Sequence, residues 1–562
     1  MHSMFRLSDK AIRESYASCR SRPTARGAAL IALVAVLGAA GCGGRGTLYV
    51  VERGDDGQRD AGAASTDAGA IGCEKKTAFY LDADGDGFGA NESPIEACAP
   101  PVGYVPNDLD CDDTRRDVRP GAPELCNALD DDCDGSVDED FDLTRDDAHC
   151  GACDTRCPAD TGCHDSVCSS LDTIVQIDAG RATTCARRLS GTTECWGANP
   201  FGNLGIGDAV AHCLTADGDA PGWCSNQPMR AGTFDQVSVG KDHACAVQRT
   251  SPTTIACWGS DGSRRLGQQE GTSTAACADT SQPCRPSPTE LVTLTDVVHV
   301  EAGYLHTCAI SRGGNLLCWG DNSRGQLGGG TRSEVEISPR TAVGDRGAFA
   351  GVTQVALGNY HTCAAQGESG VSCWGEDRNG QLGQGSATIP NCVRDLVRCL
   401  DRPTRVAGLD GPIAKLVAGD DFTCALRRDD GRVYCWGAND RGQLGVGDLK
   451  PRAAPSEVAL PAGTRFKDIA AGGLHACAID EGGDVRCWGD NQSDACCAGF
   501  ANPNPKPAKV YNVSLALEVV AGDYHTCVRV AAGVLCWGNN MWGQLGNLDN
   551  ADTGSPQTVR FR

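Results

Sequence analysis

From residue 172 onward, apolar residues gather in short runs broken by Gly, Asp and Asn, and no stretch carries a helical period. One unit, VVHVEAGYLHTCAISRGGNLLCWGDNSRGQLGGG (297–330), shows the pattern. An apolar run, Val297 to Val300, leads to Gly303, a second run spans His306 to Ile310, and a third spans Leu316 to Trp319 after a Gly313-Gly314 turn. Short runs separated by glycine turns predict antiparallel strands and hairpins.

The unit recurs. Cys-Trp-Gly appears at Trp196, Trp258, Trp319, Trp374, Trp436, Trp488 and Trp537, spaced 49 to 62 residues apart, a period that indicates a repeat architecture. Nine to twelve residues before each of these cysteines stands another, giving Cys185/Cys195, Cys245/Cys257, Cys308/Cys318, Cys363/Cys373, Cys424/Cys435, Cys477/Cys487 and Cys527/Cys536. Because each pair flanks a turn, its members face each other across one hairpin, where opposed Cβ atoms approach within about 5 Å and a disulfide can close. The uneven spacing predicts hairpin loops of different length.

The pattern G-x-x-H-T-C-A followed by C-W-G-x-N-x-x-G-Q-L-G-x-G resembles the repeat of the regulator of chromosome condensation family. The resemblance covers residues 172–562 and implies an all-β, seven-bladed β-propeller, with one disulfide in each blade on the pairing above. Three repeats depart from it. Thr183 and Phe422 stand where other repeats have His243, His306, His361, His475 and His525, and the sixth reads WGDNQSDACCAG in place of the Gly-Gln-Leu-Gly segment. Features lost singly serve blade packing and not a shared active site. The terminal Pro556-Gln557-Thr558-Val559 matches the Pro-x-x-Val strand that precedes internal repeats, so it is expected to complete the blade begun near Ile174 and close the ring.

Three repeats carry inserts after Leu-Gly, each with its own cysteine pair: Cys213/Cys224, Cys277/Cys284 and Cys392/Cys399. Equivalent points in successive blades share one face, and braced loops on a rigid scaffold suit recognition. Trp223 is the candidate aromatic contact, while Cys496 and Cys497 receive no assigned partner.

Composition then sets the compartment. Thirty-four cysteines in 562 residues require an oxidising environment. A basic segment precedes an apolar run from Ala28 to Ala40, too short to span a bilayer, which ends in Ala39-Ala40-Gly41-Cys42. This resembles the lipobox of bacterial lipoproteins, apart from Ala39 where leucine is usual, and implies lipidation of Cys42. Residues 1–42 are read as signal peptide and lipobox, and 43–72 as a flexible Gly/Ala/Asp tether. The expected location is the bacterial cell envelope, lipid-anchored at the outer membrane, or secreted. A formal charge of −23 excludes a nucleic-acid partner that depends on clustered cations.

Much of that charge lies in residues 73–142. Asp82, Asp84 and Asp86 alternate before Gly87, followed by Asp108, Asp110 and Asp112, then Asp130, Asp132, Asp134, Asp138 and Glu139. Carboxylates converging on turns form a hard oxygen cage suited to Ca²⁺, which would stabilise a region too small for a large core. The region resembles a short metal-binding motif of bacterial surface proteins, although Ser93 stands where an EF-hand requires Glu. Residues 143–171 add Cys150, Cys153, Cys157, Cys163 and Cys168. Export favours disulfides over a zinc site with His149 and His164, and the connectivity of these cysteines and Cys73, Cys98, Cys111, Cys126 and Cys133 is not deducible from spacing.

No nucleophile elbow, phosphate loop or zinc-protease helix occurs, so the chain reads as a non-enzyme. It is expected to be a monomeric surface interaction module that binds a protein or glycan through the insert-bearing face. The alternative is an envelope hydrolase or lyase with a scattered acidic site.

Overall fold

The computed structural model describes residues 76–562, except 91–92, 159–160, 208–222, 249, 251, 268–276, 278–282, 292–293, 345–346, 393–396, 462, 496–498, 500 and 562. The expectations at Cys42, Cys73, Cys213, Cys496 and Cys497, and for the signal peptide and tether, lie outside the described residues. Among those described, there is no α-helix; the rest is strand, turn and two 3-10 turns.

Seven four-strand units follow one another in chain order. The first contains Ile174–Ala179, Thr183–Arg188, Thr192–Ala198 and the outer part of the long strand Cys224–Val239, whose inner part opens the second unit. That shared strand merges the first two blades into one seven-stranded sheet, and five separate four-stranded sheets complete the set. Within a blade each strand pairs with the next in sequence, so the antiparallel meander needs only local contacts. The innermost strands, such as Val297–Ala302 and Ile413–Ala418, surround a central cavity.

The ring does not close in the expected way. The terminal strand Thr553–Thr558 pairs with Gly533–Gly538 of the seventh blade, not with the strand at Ile174. A Pro-containing strand is therefore the outer edge of the blade before it, and each repeat begins one strand later than the sequence motif suggests. Closure comes instead from packing, with Val559 and Phe561 joining Trp196 and Ile177 in one cluster across the seventh and first blades.

The recurring motif residues explain the blade. In each of the seven hairpins the two cysteines are direct register partners. The disulfides are Cys185–Cys195, Cys245–Cys257, Cys308–Cys318, Cys363–Cys373, Cys424–Cys435, Cys477–Cys487 and Cys527–Cys536. Opposed Cα atoms are about 4 Å apart, as at Cys363–Cys373 (4.1 Å). As candidate site residues these fourteen cysteines are purely structural. Cys195, Cys257, Cys318, Cys373, Cys435, Cys487 and Cys536, like their partners, are fully buried between blades, and none lines the central cavity. Immediately after the second cysteine the ladder to the outer strand shifts register, a bulge that turns Trp into the next interface. The bulge places the following glycine in left-handed backbone; at Gly375, φ is +101° and a Cβ would lie 2.4 Å from the Tyr360 carbonyl.

Each tryptophan then locks two blades. Trp374 is fully buried, donates Nε1–H to the Gln326 carbonyl at 2.8 Å and packs against Gly328, where a Cβ would come within 2.7 Å of Nε1. The same bond recurs at Trp196, Trp258, Trp319, Trp436 and Trp488. Trp537 is the exception: its Nε1 is buried without a partner among the described residues, and it faces the sixth repeat, which lacks Gly-Gln-Leu-Gly.

A second interblade link involves the histidines. His243, His306, His361, His475 and His525 meet Thr307, Thr362, Thr423, Thr526 and Thr184 of the next blade at 2.8 to 3.0 Å from Nε2 to Oγ1. Each threonine hydroxyl donates to a loop carbonyl, so the imidazole is the donor to the threonine. Burial lowers the imidazoles to about 3 at His306, His361 and His525 and to about 4 at His475, which keeps them neutral. At the two remaining interfaces both partners change together: Thr183 is followed in the next blade by Ala244, and Phe422 by Ala476. A buried hydroxyl is kept where a histidine can use it and removed where none can.

Candidate functional site

Register fixes which loops share a face. His361 lies opposite Gly375, and Glu376 opposite Cys399, so the Gly-x-x-His turn, the loop after Trp-Gly and the insert emerge at the same end of the blade. The same relation holds at His243/Gly259 and Ser260/Cys284. The anchor points of the inserts, at Cys224, Cys284 and Cys399, therefore lie at the end of the blades that carries one mouth of the central cavity. Cys277–Cys284 and Cys392–Cys399 are disulfides; Cys224 is disulfide-bonded with the expected partner, Cys213, outside the described residues. Trp223 is half-buried at the start of the outer strand, where its carbonyl accepts from Asn199 N–H at 2.8 Å, so its backbone anchors the insert.

Arginines tie this face together. Arg324 of the third blade bridges to Glu376 of the fourth at 3.1 Å, and Arg378 also reaches Glu376 at 3.4 Å. Arg332 pairs with Asp401 at 3.1 Å, and Arg398, within the fourth-blade insert, pairs with Asp377 at 3.5 Å.

The residue after each innermost-strand glycine forms a ring around the mouth: Arg181, Lys241, Tyr304, Asn359, Asp420, Gly473 and Asp523. Lys241 crosses this ring. Its Nζ lies 2.8 Å from Asp420, 3.5 Å from Asp523 and 4.4 Å from the Tyr304 ring centre. Burial opposes its charge, but Asp523 and Asp420 raise the ammonium pKa above its ordinary value. Asp523 is pushed up to about 6 by burial, with Asp420 adding repulsion. The ring occupies the variable position of G-x-x-H, and comparison of that one column across seven repeats would have found it.

The acidic region is a separate site. A three-stranded sheet of Thr77–Leu81, Ile95–Ala97 and Tyr104–Val105 presents the turn at 82–87. Carboxyl oxygens of Asp82, Asp84 and Asp86 lie within 4.8 Å of one another, as do those of Asp84, Asp110 and Asp113. Asp84 Oδ2, Asp86 Oδ2 and Asp110 Oδ2 are buried without a hydrogen bond, and the Arg119 guanidinium stays 3.9 Å from Asp86. Burial and then neighbouring carboxylates raise Asp84; burial first also raises Asp110, with Asp86 and Asp84 adding repulsion. Unpaired buried carboxylate oxygens converging on one point fit a hard divalent cation.

The structure redistributes the expected ligands. Asp113, the last carboxylate of the DLDCDD turn, joins the first group, whereas Asp112 caps Thr114 and Asp108 is exposed. Asp130 and Asp132 join Glu124 in a second group. Asp134 accepts from Ser136 N–H, Asp138 accepts from Asn127 and Ala128 N–H groups, and Glu139 is exposed. Cys111–Cys133, Cys126–Cys153, Cys150–Cys163 and Cys157–Cys168 are disulfides, which removes these thiols from a zinc site; Cys98 is disulfide-bonded too.

Comparisons with known proteins follow the same division. Two models described as "Regulator of chromosome condensation (RCC1) repeat" match, one at residues 313–365, 370–426 and 430–479, the other at 297–326, 413–443 and 466–494. A model described as "Putative metal-binding motif" matches 110–139. The ultraviolet-B receptor UVR8 of Arabidopsis thaliana is 30% identical over 332 residues, 58% of this chain and 69% of that protein. The E3 ubiquitin-protein ligase HERC2 of Homo sapiens is 26% identical over 68% of this chain, but only 7% of that protein is covered. Among solved structures, yeast RCC1 (Prp20) bound to Kap60 aligns with TM-score 0.53 at 20% identity, over 69% of this chain and 85% of that one. Human WBSCR16 also gives 0.53 at 20% identity, over 65% and 93%.

Proposed function

Because the chain belongs to the RCC1 repeat family, we propose that it is an exported surface module that binds a protein partner through the insert-bearing face of its propeller. The observation that carries this reading is that the anchor points of the inserts, at Cys224, Cys284 and Cys399, the interblade arginines and the charged mouth share one end of the blades. The disulfide density supports an oxidising compartment, and Cys42 would supply the membrane anchor. The N-terminal region holds Ca²⁺ through Asp82, Asp84, Asp86, Asp110 and Asp113. There the cation would neutralise buried carboxylate oxygens of Asp84, Asp86 and Asp110 that have no hydrogen bond among the described residues, and so would order residues 76–142 beside the propeller.

The experiment compares intact protein with a variant in which residues 386–398 are replaced by a short Gly/Ser turn and a second carrying Arg324→Ala and Arg378→Ala. Each is used to capture partners from bacterial envelope extract. A partner retained by the parent and lost from both variants supports the reading. Equal capture by all three, or none by the parent, overturns it.

A further inference from the structure

Beneath Lys241 the innermost strands enclose a cavity of about 390 Å³. Side chains of these strands point inward at every second position, so the wall is built in tiers. The lowest tier closes on itself. Gln176, Gln236 and Gln354 bond to backbone groups of the next blade, Lys415 pairs with Asp468 at 2.6 Å, and Glu518 pairs with Arg529 at 2.9 Å. The mouth tier also contains its own cation, the Lys241 ammonium held by two carboxylates and an aromatic face.

The middle tier differs. Asp178 of the first blade and Glu301 of the third line it, whereas the fourth to seventh blades contribute Ala356, Val417, Ala470 and Val520. Asp178 receives backbone N–H groups from Val239 at 2.7 Å and Ala179 at 2.9 Å, and among the described residues no cationic side chain pairs with it. Among the described residues Glu301 pairs with the His299 ring, at 3.3 Å, and its side chain is 32% exposed, so solvent reaches the cavity. Two carboxyls on one wall opposite aliphatic side chains on the other match a compact ammonium on a hydrocarbon stem. Lys241, about 10 Å above at three residues' rise, shows the same chemistry satisfied by the protein itself.

We infer that the middle tier of the central cavity binds a primary alkylammonium group, with Asp178 and Glu301 receiving the ammonium and Val417 and Val520 packing against its alkyl chain. A free diamine or polyamine and the lysine side chain of a partner share this chemistry.

Isothermal titration calorimetry of the full chain at pH 7 tests the site with 1,5-diaminopentane, spermidine and a lysine peptide blocked at both ends. Burial and then Glu301 raise the Asp178 carboxyl to about 8, with Glu518 adding to the repulsion, so an arriving cation displaces a proton. At least one probe should bind with proton release, seen as heats that change with buffer ionisation enthalpy. Binding by the free amines alone assigns a small-molecule ligand; binding by the peptide assigns a partner's lysine. Asp178→Asn should weaken binding at least tenfold and abolish the release, and Glu301→Gln should weaken it as well. No binding by any probe, or unchanged affinity and proton release in folded Asp178→Asn, would overturn the inference.

Discussion

The histidine–threonine links between blades make a quantitative prediction at His306 and Thr362. Both are fully buried, with Nε2 2.9 Å from Oγ1 and the hydroxyl donating to the Gln326 carbonyl at 2.8 Å. Thr362→Ala leaves the imidazole N–H without an acceptor, at about 1 to 3 kcal/mol, and removes a buried methyl, at about 1 kcal/mol. His306→Phe alone keeps the hydroxyl-to-carbonyl bond and eliminates the His306 Nδ1 lone pair, which has no partner. The double variant reproduces the Phe422/Ala476 interface that the protein itself uses. It should therefore be more stable than Thr362→Ala alone, with a coupling of about 1 to 2 kcal/mol. Urea unfolding with disulfides intact, followed by the fluorescence of the seven buried tryptophans, measures all four corners of the cycle. If the double variant loses the sum of the two single losses, the reasoning fails.

Four further outcomes follow from the same structure. In acid, the unfolded chain accepts protons near pH 6.5 that the folded His306, His361 and His525 refuse until about pH 3; their contribution to stability is complete above 6.5 and is lost as pH falls toward 3, a loss that should be shallower in the His306→Phe/Thr362→Ala variant. Trp537→Phe should cost about 1 kcal/mol less than Trp374→Phe in urea unfolding, because among the described residues Trp374 gives up a hydrogen bond and Trp537 does not. Chelation by EDTA should expose residues 76–142 to proteolysis while leaving the propeller intact, and Asp86→Asn with Asp110→Asn should show that sensitivity in saturating Ca²⁺; equal cleavage rates with and without chelator would contradict the cation site. Removing Ser555–Arg562 should lower the unfolding midpoint strongly, since it takes Val559 and Phe561 from beside Trp196.

What can be read from the chain follows from how local each signal is. Hairpin cysteines such as Cys308 and Cys318, Trp-Gly and the glycine turns lie within about 25 residues of one another, so their repetition yields the blade and its disulfide directly. The phase of the repeat is not legible, because inserts of varying length separate each Pro-containing strand from the blade it edges. This is why Pro556–Val559 resembles a missing first strand and yet is the last outer one. The interblade pairs depend on residues one repeat apart, and only setting His306 against Thr362, and Phe422 against Ala476, reveals that they change together. At the acidic turns, composition indicates a cation site, but whether Asp112 or Asp113 faces it depends on which carboxylate the local turn consumes, and Asp112 is taken by Thr114.

The central claim is that recognition belongs to the insert-bearing end of the propeller. Hydrogen–deuterium exchange of the intact protein, alone and with its captured partner, tests this most directly. Protection is predicted at the Gly-x-x-His turns, at the loops around Arg324 and Glu376, and at the Cys392–Cys399 insert. Protection confined to the opposite hairpin turns, at Gly313-Gly314, Gly367–Gly370 and Asp429–Gly431, would contradict it.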